Sequence, residues 1–95
     1  MSEIMHKLRM GELPLGIKAE VIALDESSTT SPLTPGELER RLIEMGLVEG
    51  AYVEVLHQGF PGKDPVAIRV NEHTVAMRRS EANAVIVSRR PDGGA

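Results

Sequence analysis

Residues 34–56 read TPGELERRLIEMGLVEGAYVEVL, and within this stretch the apolar spacing changes from that of a helix to that of a strand. Thr34, Pro35, Gly36 and Glu37 have the form of a capping box with proline at the first helical position, where its missing N–H costs nothing. Leu38, Leu42 and Met45 then fall on one stripe of a helix of about three turns. Gly46 supplies the left-handed residue that stops it, and Leu47 is placed to fold back onto the last turn. After the turn pair Glu49–Gly50, Ala51, Val53 and Val55 alternate with Tyr52, Glu54 and Leu56, the period-two signature of a half-buried strand.

Working outward, Gly16 to Leu24 alternates with a period near two that degrades at its far end, and predicts a first strand. Asp25 to Pro35 is rich in Ser and Thr with two prolines, a composition that buries little apolar area and reads as a loop inside the domain. Downstream, Val66, Ile68 and Val70 resume the alternation after the loop Gln58 to Asp64, completing a hairpin. Asn71 to His73 make a turn into a strand Thr74 to Arg78. Ser80 is expected to cap a single helical turn before a last strand, Val85 to Ser88. Five short strands with one helix between the first and second predict a mainly β fold, a small SH3-like barrel that removes its edges by closure. The domain is expected over residues 10–89, with an N-terminal tail at 1–9 and a disordered tail at 90–95.

The chain has 95 residues, six prolines, no cysteine and a net charge of −3, so one domain without disulfides is expected, as reducing compartments tolerate. That points to the cytoplasm. No apolar run approaches the roughly 20 residues that span a bilayer, and Met1 to Leu13 lacks the core of a signal peptide. The acidic balance opposes a general phosphate-binding surface, so nucleic acid is not an expected partner.

Arg40 to Leu47, then Gly50, Val53, Val55 and Leu56, and later Val75 to Ala82 together resemble the FeoA family, as does the entry Met10-Gly-Glu-Leu-Pro-Leu-Gly16. The resemblance covers about Met10 to Ser88; Glu49, Lys63 and a long Ser/Thr loop are departures from the pattern. It implies an SH3-like companion of FeoB, the membrane ferrous-iron permease that carries a GTP-binding domain, and hence a role in ferrous iron uptake. An alternative is the SH3-like module that works with metal-dependent transcriptional repressors; a metal-binding protein is a third.

The residues themselves offer little chemistry. His57 and His73 are expected at opposite ends of one strand and His6 in a tail, so no metal site is expected. Gly59-Phe-Pro-Gly-Lys63 lacks the spacing of a phosphate loop, and no nucleophile, base and acid converge, so no cofactor and no enzyme activity are expected. Ile43 lies about 140° from the centre of the helical stripe. It is either covered by the N-terminal segment or the Ser/Thr loop, or it anchors a partner. Phe60, in a polar loop, either plugs the barrel end or meets the same partner. Arg78, Arg79, Arg89 and Arg90 flank the last strand as solvated ends or as a basic edge. The reading adopted is a partner-binding surface made by Arg40, Ile43, Phe60, Arg78 and Arg79.

Overall fold

Alternating apolar residues find partners in six antiparallel strands of one sheet, in a computed structural model that describes residues 6–27, 36–59 and 64–89. The strands are β1 (His6–Arg9), β2 (Lys18–Leu24), β3 (Tyr52–Gln58), β4 (Val66–Val70), β5 (His73–Met77) and β6 (Val85–Arg89). A 3₁₀ turn, Met10–Glu12, follows β1; helix α1 (Glu37–Glu44) joins β2 to β3, and helix α2 (Arg79–Ala82) joins β5 to β6. The order across the sheet is β1-β6-β2-β3-β4-β5. The last described strand is therefore inserted between the first two.

The inward faces are those the alternation predicts: Val53 and Val55 of β3, Val66, Ile68 and Val70 of β4, and Val85 and Val87 of β6 are buried. Leu38, Leu42 and Leu47 close the core from the α1 side, and Met10 and Leu13 from the 3₁₀ turn. The fading period of β2 has a cause. Val21 pairs with Val87 but Ala23 with Ile86, so the strand bulges between them. One extra residue reverses the faces beyond it, leaving Ala23 exposed where strict alternation would bury it. β3 bulges likewise between Val55 and His57.

Four expectations are corrected. His6–Arg9, expected as tail, pairs with β6 from His6↔Arg89 to Arg9↔Ile86, giving six strands instead of five. Closure is also absent, since β1 and β5 end the order and do not pair with each other. Both edges are instead short, at four and five residues, which limits the unpaired backbone they offer. Third, α1 starts at Glu37 instead of Pro35: Gly36 has φ +90 and occupies the cap position, not the second helical one. Thr34 lies outside the described residues, as do Phe60 and the tail from 90 to 95. In α2 the cap is Arg78, whose N–H donates to Glu81 Oε1 at 3.1 Å, with Ser80 inside the turn.

Candidate functional site: the outer face of the first helix

At its C-terminal end α1 is finished as the glycine pattern requires. Gly46 (φ +95) donates to the Ile43 carbonyl at 2.9 Å and Leu47 to Leu42 at 3.0 Å, the paired bonds of a Schellman motif. Gly46 also has His73 and Val70 against it, so a Cβ there would meet the His73 ring at 3.3 Å. His73 Nε2 lies 3.0 Å from the Met45 carbonyl, pinning the β4–β5 turn to the helix end. At the other end the carboxylate of Glu26 accepts from the N–H groups of both Gly36 and Glu39 at 3.2 Å. It satisfies two orphan donors and places negative charge at the positive end of the helix.

This geometry presents Ile43 and Arg40 outward, with Ile43 45% exposed. Arg78 is also exposed, at the start of α2. Arg79 is turned the other way: its guanidinium donates to the Gly11 carbonyl and its own N–H donates to Asp64 Oδ1 at 2.6 Å. Its Nη2 is buried without a hydrogen-bond partner. Arg79 thus ties the 3₁₀ turn to α2, a job that adjacency to Arg78 in sequence does not reveal. Phe60 lies outside the described residues.

Three exposed apolar groups besides Ile43 were not assigned to the surface from sequence: Leu15 is 53%, Val48 44% and Tyr52 62% exposed. Tyr52 falls in the outward phase of β3 and was legible as such; Val48 sits in a turn with no period to place it. Also unforeseen is Arg9, whose guanidinium donates to the Asn83 carbonyl at 2.7 Å and pairs with Asp25 at 3.6 Å. Asp25 is in turn held below the ordinary carboxylate value of 3.8, first by hydrogen bonds from the hydroxyl and N–H of Ser27 and then by the charge of Arg9.

No three His, Asp or Glu side chains come together as a metal site among the described residues. His57 stands opposite Ala67 and His73 opposite Val70, at opposite ends of β4. No helix among the described residues is long and apolar enough to cross a membrane.

A six-stranded antiparallel sheet packed on one aliphatic core, with a short helix before the third strand, is that of an SH3-like domain. The FeoA domain model matches residues 8–89, and the chain belongs to the FeoA family. It is 30% identical over 80 residues to a fused Fe(2+) transport protein A/Fe(2+) transporter FeoB of Porphyromonas gingivalis. That match takes in 84% of this chain but only 8% of the fusion protein's length. Among solved structures, the zinc complex of Stenotrophomonas maltophilia FeoA, described as a prokaryotic SH3 domain protein, is 30% identical with a TM-score of 0.67. It covers 85% of this chain and 94% of its own. The IdeR of T. acidophilum, at 17% identity and a TM-score of 0.66 over 94% of this chain and 37% of its own, shares the fold alone.

Proposed function

We propose that this chain is a cytoplasmic accessory module of a FeoB-like ferrous iron transporter, acting by contact with the transporter's cytosolic, GTP-binding part and turning over nothing itself. The observation that carries the reading is its match to the FeoA portion of a polypeptide that also contains FeoB. Tethering two modules raises the effective concentration of one at the other, a gain only where the two meet. The surface assigned to that contact is the outer face of α1, with Ile43 as apolar anchor beside Arg40, joined by Phe60 and Arg78. Arg79 takes part through its hold on the 3₁₀ turn.

The test is recovery with the tagged full chain from membrane and cytosolic fractions, identified by mass spectrometry. Co-purification of the FeoB-like permease is expected. Recovery of a metal-dependent repressor in its place would overturn the reading.

A further inference from the structure

The large apolar side chains left exposed are Leu15, Ile43, Val48 and Tyr52 among the described residues, and all but Leu15 fall in the one stretch Ile43–Tyr52. Backbone bonds gather that stretch. Val48 N–H donates to the Gly46 carbonyl and Ala51 N–H to the Val48 carbonyl, both at 2.9 Å, so the chain doubles back directly beyond the last turn of α1. Tyr52 exchanges two bonds with Asn71, its N–H donating to Oδ1 at 3.0 Å and its carbonyl accepting at 2.8 Å. His73, two residues on, reaches the Met45 carbonyl. The Asn71–Glu72 turn therefore stands between the end of the helix and the start of β3.

The rim of this region is acidic. Glu44, Glu49 and Glu72 are all exposed; of the cations, Arg41 is already paired with Glu81 at 3.6 Å, while the exposed Lys18 and Arg69 stand opposite Glu54, one step along the outward face of β3 from Tyr52. Clustered apolar exposure inside a charged rim is the anatomy of a protein contact. The sign of the rim selects what can settle there. It repels an anionic lipid surface and disfavours a second copy of itself, and it matches Lys and Arg.

We infer that the surface formed by Ile43, Val48 and Tyr52 docks a basic amphipathic segment of the partner, with apolar anchors seated on those side chains and flanking Lys or Arg against Glu44, Glu49 and Glu72. This deepens the accessory-module reading above and rests on it for one of its two probes. It also reverses the sign of partner that a basic edge at Arg78 and Arg79 would choose.

The first arm measures affinity for the full-length, detergent-solubilised FeoB-like permease of the same source. Ile43→Ser is expected to weaken binding about thirtyfold, as loss of an interface anchor does. The triple variant Glu44→Lys/Glu49→Lys/Glu72→Lys is expected to weaken it about tenfold or more and to abolish its decline with added salt. All these positions are exposed, so melting temperatures should match the wild type and serve as the folding control. The second arm titrates a synthetic Leu/Lys amphipathic helix, and its Leu/Glu counterpart, into the labelled full chain by NMR. Only the Leu/Lys peptide is expected to shift amides across Ile43–Tyr52.

If the permease binds the triple variant as tightly as the wild type, the inference is wrong and the accessory role stands. If the permease ignores the wild type while the Leu/Lys peptide maps to Ile43–Tyr52, the inference holds and the accessory role falls. Silence from both probes overturns both. Self-association in sedimentation, or capture on phosphatidylglycerol vesicles, that Ile43→Ser removes would likewise overturn the inference.

Discussion

At the scale of single residues, Gly11 leaves no room for a side chain. It is buried, and a Cβ there would collide with Asn83 Oδ1 and stand 3.0 Å from the Arg79 carbonyl. Gly11→Ala should therefore cost about 1–3 kcal/mol through displacement of Asn83 and the first turn of α2. Unchanged denaturant melts would show that Asn83 swings away freely. Asp25 makes a pH-dependent contribution that is small, because its side chain is 45% exposed. Its folded value lies below 3.8, so the stabilisation is fully present above that pH and lost as pH falls through the depressed folded value. Wild type and Asp25→Asn should then differ in stability at neutral pH and converge well below 3.8. Divergence in acid would mean the carboxyl is not held by Ser27 and Arg9.

At the scale of elements, α1 is amphipathic, with Leu42 1% exposed at the middle of its inner stripe. Leu42→Ala should cost about 2–5 kcal/mol in a denaturant melt, enough to leave so small a domain marginal. Glu26→Ala should cost about 1 kcal/mol, since it strips the acceptor from two helix-end amides. A helical signal in NMR unaltered at Glu37 to Glu39 would argue against this remote cap.

The same helix shows how far sequence could be read. Its C-terminus was legible because Gly46 and Leu47 act on carbonyls only a turn away, and the β3–β4 hairpin because Val53, Val55, Val66, Ile68 and Val70 keep a strict period. Its N-terminus was not legible, because the capping oxygen comes from Glu26 across a loop, and no local pattern encodes a partner so distant. β1 escaped for a related reason: four residues with Leu8 as their one aliphatic side chain show no period, and what makes them a strand is β6 at the other end of the chain. Of the candidate surface, Ile43 could be located by its angle on the helix, whereas Arg79 could not be told from Arg78 until its guanidinium was seen against Gly11.

At the scale of the whole molecule, the aliphatic core is continuous without any convergence of metal ligands among the described residues. A chelator should accordingly leave the melting temperature unchanged within error. A fall of several degrees, restored by stoichiometric iron or zinc, would show that an ion is part of the fold.

The position of β6 has a consequence for how the protein comes into being. Val85 to Arg89 are made after every other described strand, yet they lie between β1 and β2 and pair with both. Until they emerge, β1 lacks the strand it pairs with and β2, paired with β3 on one side, keeps its other edge open. Contacts this distant along the chain are slow to close. The domain must assemble after its last strand emerges, and until then the bare flank of β2 is the nascent chain's point of greatest exposure to aggregation and to chaperones.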